Sequence, residues 1–96
     1  MASPGKKLNF MGNEFGQGRE WRVGWELDWE LLNVGWHGGI QHLARDLNRI
    51  YRDDAALHGL DFEPAGFAWL DCNDADHSIL SFFRRATDGQ CTVAVL

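Results

Sequence analysis

"KKLNFMGNEFGQGREW", residues 6–21, decides how this chain is read. Leu8, Phe10 and Met11 give residues 7–12 the character of a short, buried strand, bounded by Pro4-Gly5 before it and Gly12 after it. A polar loop follows at once, with Gly12, Gly16 and Gly18 spaced among Glu14, Glu20 and Trp21. An apolar strand that runs into a loop and then a helix is one unit of a parallel α/β sheet, whose neighbouring strands come from other chain segments. The sequence contains no equal partner for 7–12, so the reading predicts a unit cut out of a larger sheet.

Working outward, residues 13–36 mix glycines, carboxylates and tryptophans with no steady alternation, which predicts a long loop holding one helical turn. Loops of that length in compact domains are uncommon unless they serve a site. From His37 to about His58 the period becomes helical. Ile40, Leu43, Leu47, Ile50 and Tyr51 recur on one face, Arg45, Asp46, Arg49, Arg52 and Asp53 fall mostly elsewhere, and Gly59 is the expected stop.

Beyond the helix the period falls to two. "GFAWLDC", "HSILSFFRR" and "QCTVAVL" read as a three-stranded antiparallel meander, with Asp88-Gly89 as a hairpin turn. The last run reaches Val95-Leu96 with no turn or tail, which is expected of a chain cut in mid-sheet. The fold class expected is α+β: a β-loop-α unit followed by antiparallel strands.

Composition narrows the function classes. The 96 residues are 45% hydrophobic and 24% charged, values of a globular chain rather than a disordered one. A net charge of -5 argues against a nucleic-acid partner, which needs a basic footprint. Arg84 and Arg85 are the one adjacent arginine pair, and in a strand they read as a solvated edge. No run approaches the roughly 20 apolar residues that span a bilayer, and "MASPGKK" lacks the apolar segment of a secretory signal. A cytoplasmic protein is expected, with Cys72 and Cys91 as reduced thiols. His37, His42, His58 and His77 lack zinc-ligand spacing with cysteine, so no metal is expected.

The blocks "PGKKLNFMGNEFGQGREW", "LDWELL" and residues 38–85 resemble, in order and spacing, the C-terminal part of bacterial 1,4-α-glucan (glycogen) branching enzymes. The resemblance covers about Pro4 to Leu96. It implies an α-amylase-type (β/α)8 barrel in residues 1–60, with 7–12 as the eighth strand, 13–36 as the loop after it and 38–57 as the eighth helix. Residues 61–96 would begin a C-terminal β-sandwich domain. Active sites of such barrels lie on the loops that follow the strands, which places "GNEFGQGREW" on the rim of a glucan cleft.

The same resemblance implies that no catalytic residue is present, because the family's Asp nucleophile, Glu acid/base and stabilising Asp lie on strands four, five and seven. Without a carboxylate nucleophile and an acid/base across the scissile bond, no glucosyl transfer takes place. No cofactor is implied. The residues implied to face glucan are Glu14, Gln17, Glu20 and Trp21. Glu14 and Glu20 are not expected to act as a glycosidase pair. Trp25 and Trp29 are expected to pack, and Asp28 to cap or brace the loop. Asn9 stands where a buried strand would carry an apolar residue. Two other readings are a free-standing carbohydrate-binding or interaction module and a piece of a sibling α-amylase-type enzyme acting on trehalose-capped glucans.

Overall fold

A computed structural model describes residues 1–96. The chain divides into two compact units, one formed by Lys7–Arg49 and the other by Met1–Lys6 with Ile50–Leu96. Together the elements are a helix and a three-stranded antiparallel sheet, an α+β arrangement. No helix is long and apolar enough to cross a membrane.

In the first unit, residues 7–12 make no strand ladder. Leu8, Asn9 and Phe10 are exposed, and Met11-Gly12 turn the chain through left-handed backbone at φ 40° and 91°. The apolar pattern of 7–12 meets a physical limit here. A strand exists only where another strand takes up its N–H and C=O groups, and this chain offers none to 7–12. Exposure also removes the difficulty of a buried Asn9.

The long loop holds two 3-10 turns, Asn13–Phe15 and Trp29–Asn33, and leads into helix α1, Gly35–Asp53. Phe15 is completely buried and is the centre of this unit's core, with the Trp29 ring 5.2 Å away. His37 Nδ1 lies 2.8 Å from the Phe15 carbonyl and ties the start of α1 to the first turn. Gly16, at φ 70°, closes that turn, and a Cβ there would come within 2.8 Å of Ile40 Cδ1. Glycine is favoured at 16 chiefly by this left-handed backbone, while the Ile40 methyl at the end of its side chain would have to shift for any Cβ there. On α1 itself, Ile40 and Leu47 are half-buried, but Leu43 and Ile50 are largely exposed.

Helix α1 ends six residues before Gly59 because Asp54 leaves helical conformation to cap the next turn. Its φ and ψ are -102° and 100°, and one carboxylate oxygen accepts from the Ala56 N–H at 3.0 Å. Aspartate is among the strongest N-cap residues, so it starts the Ala55–Leu57 turn at the helix's expense. The other carboxylate oxygen accepts from the Thr92 hydroxyl, joining this turn to the last strand.

The second unit is built on the strands β1 (Phe67–Asp74), β2 (Ile79–Arg85) and β3 (Cys91–Val95), in the order β1-β2-β3. Gly89, at φ 86°, makes the turn between β2 and β3. Register pairs Trp69 with Phe82 and Phe82 with Ala94, then Phe67 with Arg84 and Arg84 with Thr92, so these side chains share one face. On it Phe67, Trp69 and Phe82 form an aromatic cluster with centroids 5.2–5.9 Å apart. Ala56, Leu57, Phe82 and Ala86 are buried. The ladder continues to the last residue, where Leu96 and Leu80 exchange both backbone hydrogen bonds.

The two adjacent arginines part company. Arg85 is exposed, but Arg84 is completely buried, contrary to the expectation of a solvated edge. Its guanidinium donates to Asp61 Oδ1 at 2.5 Å, the Ala2 carbonyl at 2.6 Å and the Gly66 carbonyl at 3.2 Å. A charge is tolerated there because its planar donors meet a carboxylate and two carbonyls. Neither the N-terminal carbonyl nor the Asp61 carboxylate is near Arg84 in sequence.

Candidate functional site

The best-built surface feature of the first unit is the loop that follows Phe10. Its entry is a left-handed turn at Met11-Gly12, whose Gly12 carbonyl accepts from both the Phe15 N–H at 3.2 Å and the Gln17 N–H at 3.0 Å. A Cβ at Gly12 would lie 2.9 Å from the Gln17 Cβ, so the glycine lets the Gln17 side chain lie across the turn.

Gln17 then reaches in two directions. Its Nε2 donates to the Arg19 carbonyl at 2.8 Å, and its Oε1 accepts from the Asp28 backbone N–H at 2.8 Å. The Arg19 guanidinium pairs with the Asp28 carboxylate and donates to the Glu26 carbonyl at 3.4 Å. Residues 19–28 are therefore gathered at their base by one amide and one ion pair. Asp28 braces the loop as the sequence suggested, although its side chain makes no capping bond to the turn that it precedes. Within the loop, Gly24 at φ 81° supports a turn in which the Trp25 N–H donates to the Arg22 carbonyl at 3.1 Å. Arg19 and Arg22 each lie 4.9 Å from the Trp25 ring centroid, in cation-π range.

This scaffold presents a surface hollow of about 240 Å³ bordered by Phe10, Met11, Asn13, Gln17, Gly18, Arg19, Glu20 and Trp21. Phe10 meets Trp21 edge-on, with centroids 5.4 Å apart and planes at 79°. Trp21 is 39% exposed, so much of its indole is available to a ligand. Of the residues read from the sequence as facing a ligand, Gln17, Glu20 and Trp21 come together here. Glu14 does not border the hollow and sits half-buried in the Asn13–Phe15 turn. Phe10 and Asn13 border the hollow as well, and their spacing around Gly12 gives no sign of it. A second hollow, about 350 Å³, is bordered by Arg19, Trp25, Asp28 and Trp29 among others.

The second unit carries a polar cluster of different character. Tyr51 donates its hydroxyl to Asp61 Oδ2 at 2.9 Å, while Asp61 Oδ1 takes the Arg84 guanidinium. Burial pushes the Tyr51 phenol above its ordinary pKa, and the hydrogen bond and negative charge of Asp61 add to this, with Arg84 opposing. Arg84 is completely buried and the Asp61 side chain is 7% exposed, so the chemistry of the cluster is structural.

No group of three or more His, Cys, Asp and Glu side chains converges as a metal site. His58 Nε2 lies 3.3 Å from the Arg52 carbonyl, and His77 Nδ1 lies 2.7 Å from Asp74. Cys72 and Cys91 are exposed free thiols.

No family model matches the chain. Among curated proteins it is 58% identical, over all 96 residues, to the 1,4-alpha-glucan branching enzyme GlgB of Nitrosospira multiformis. It is 56% identical over 96 residues to the enzyme of the same name from Methylobacillus flagellatus, and 59% over 95 residues to that of Thiobacillus denitrificans. The chain spans about 13% of the length of each of these relatives.

Proposed function

We propose that this chain, which belongs to the 1,4-alpha-glucan branching enzyme family, supplies a glucan-facing loop to an enzyme that moves α-1,4-glucan segments onto α-1,6 positions. The observation that carries the reading is identity of 56–59% sustained along essentially the whole chain. A shared helix or meander alone would not give an identity this high over the full 96 residues.

In this reading residues 1–60 end a (β/α)8 barrel and residues 61–96 begin an all-β domain. Residues 7–12 are the eighth strand, whose hydrogen-bonding groups are taken up by neighbours elsewhere in the enzyme. The lack of a ladder at 7–12 in this chain agrees with that requirement. Leu8, at 86% exposure, is then an interior barrel residue waiting for its layer.

The chemistry itself belongs to carboxylates outside these residues. One forms a covalent glucosyl intermediate while an acid/base protonates the 4-oxygen of the leaving chain, and the same group, now a base, deprotonates the acceptor's 6-hydroxyl as it attacks and frees the first carboxylate. What this chain contributes is recognition. Sugar rings present a face of axial C–H bonds that suits an indole, so Trp21, held by the edge of Phe10, is placed to stack on a glucose unit. Glu20 borders the same hollow and accepts hydrogen bonds from sugar hydroxyls, while Gln17 forms part of its wall and Glu14 supports the turn beneath. The α-glucan is the implied partner.

The test is a transplant. The corresponding segment of the Nitrosospira multiformis enzyme is replaced by these 96 residues, and branching is followed by iodine absorbance of amylose and by α-1,6 content. The chimera is expected to branch, and the isolated chain to match a buffer control. A soluble chimera with no branching activity overturns the proposal.

A further inference from the structure

We infer that Gln17 is a positioning residue that acts on glucan through Trp21, by clasping shut the loop on which Trp21 rides. The inference rests on the reading of that loop as glucan-facing, and assigns Gln17 a role distinct from the direct contact its place in the wall suggests.

The geometry is specific. Each end of the Gln17 carboxamide is committed to backbone at 2.8 Å, the amide nitrogen to the carbonyl of Arg19 and the oxygen to the N–H of Asp28. These partners are the two ends of the 19–28 excursion, so one side chain fixes how the loop leaves and how it returns. The Gln17 backbone is itself tethered, because its N–H donates to the Gly12 carbonyl at 3.0 Å, and the absence of a Cβ on Gly12 leaves the room that its side chain occupies. The Arg19–Asp28 ion pair closes the same ends a second time, from a site exposed enough for solvent to weaken it. Trp21 is two residues from the Arg19 end of the clasp, and its only ring neighbour is the edge of Phe10. The backbone that carries the indole is therefore positioned by where the loop begins, and the Phe10 edge then orients the ring. Loss of the clasp should cost glucan affinity through misplacement of the indole while leaving the remote carboxylate chemistry alone.

The experiment is a double-mutant cycle in a full-length branching enzyme carrying these residues. Gln17→Met removes both hydrogen bonds at nearly constant side-chain length. It is expected to raise KM for amylose about tenfold with kcat within about twofold. In a Trp21→Ala background the same change should move KM by less than about twofold, because the group it positions is gone. An equal rise in both backgrounds, or no rise in either while Trp21→Ala alone raises KM, overturns the inference.

A second readout is independent of glucan. Trypsin cuts after Arg19 and Arg22, both exposed, and the clasp holds that stretch closed. Gln17→Met is expected to speed cleavage there about fivefold or more, and an unchanged rate overturns the clasp. Should Trp21→Ala by itself leave KM untouched, it is the glucan reading of the loop that fails, and the trypsin rate still decides the clasp. If Gln17→Met does not fold, Gln17→Glu serves in both measurements. It keeps the acceptor for Asp28 but turns an oxygen toward the Arg19 carbonyl.

Discussion

Arg19–Asp28 and Arg84–Asp61 are the same pair of residue types placed in two different solvents. The Arg84 and Asp61 side chains are 0% and 7% exposed, those of Arg19 and Asp28 44% and 19%. Inside, the guanidinium draws in the Ala2 and Gly66 carbonyls as well, so that it binds the N-terminus, the approach to β1 and the sheet into one piece. Outside, the Arg19 side chain is 44% open to solvent, and the neutral Gln17 amide bonds the same two ends of the loop. Burial makes an ion pair a condition of folding. Exposure leaves it as an adjustable brace, which suits the glucan-facing role proposed for the loop.

Matched substitutions break the comparison most directly. Arg84→Met strips the partner from a buried Asp61 and is expected to cost about 3–5 kcal/mol. Arg19→Met, with its partner free to reach water, is expected to cost less than about 1 kcal/mol. Urea midpoints with unchanged m-values measure both in the full-length enzyme. Equal costs would show that burial does not separate the two pairs.

The tryptophans sharpen the contrast within the loop unit. Trp29 lies against the fully buried Phe15, so Trp29→Ala should remove about 1 kcal/mol or more and lower the melting temperature or soluble yield. Trp21→Ala should weaken glucan turnover with little change in melting temperature. If both destabilise alike and glucan kinetics do not move, the hollow is packing surface and not a site.

The smallest expected effect concerns the neighbour of the buried pair. Tyr51 is the chain's one tyrosine, and its folded pKa is raised by burial and by Asp61. The unfolded phenol therefore loses its proton first. The stability from the protonated, hydrogen-bonded phenol is complete below the ordinary tyrosine value of about 10 and is lost as pH rises from there through the folded pKa. Ultraviolet titration of tyrosinate in the chain checks this, and ionisation at or below the ordinary value would contradict it.

Much of the fold was legible because it is local. The spacing of Ile40 and Leu47 marks a helix, alternation marks the three strands, and Asp88-Gly89 marks the turn between β2 and β3. The helix end was misread because two stop signals competed. Gly59 was the familiar one, but Asp54 caps a new turn earlier and secures it through Thr92 on a distant strand. Residues 7–12 form no ladder here for the opposite reason, since their apolar pattern is genuine but pairing is not a property of one segment. At the candidate site, the family resemblance pointed to Glu20 and Trp21, which the structure brings to one hollow. The double commitment of Gln17 was not legible, because an amide in a polar loop looks the same whether it faces a ligand or its own backbone.

By itself, then, the sequence determined the α+β class, the helix and meander, and the kinship to branching enzymes, all carried by periodicity and by ordered blocks of residues. Only the tertiary structure decided which arginine is interior, which side chain clasps the loop and where α1 stops. Those outcomes depend on groups far apart in the chain, such as Ala2 with Arg84, Asp54 with Thr92 and Gln17 with Asp28. A polar group is buried only where distant partners replace the water it gives up, and residue type and spacing do not state which partners the fold will bring.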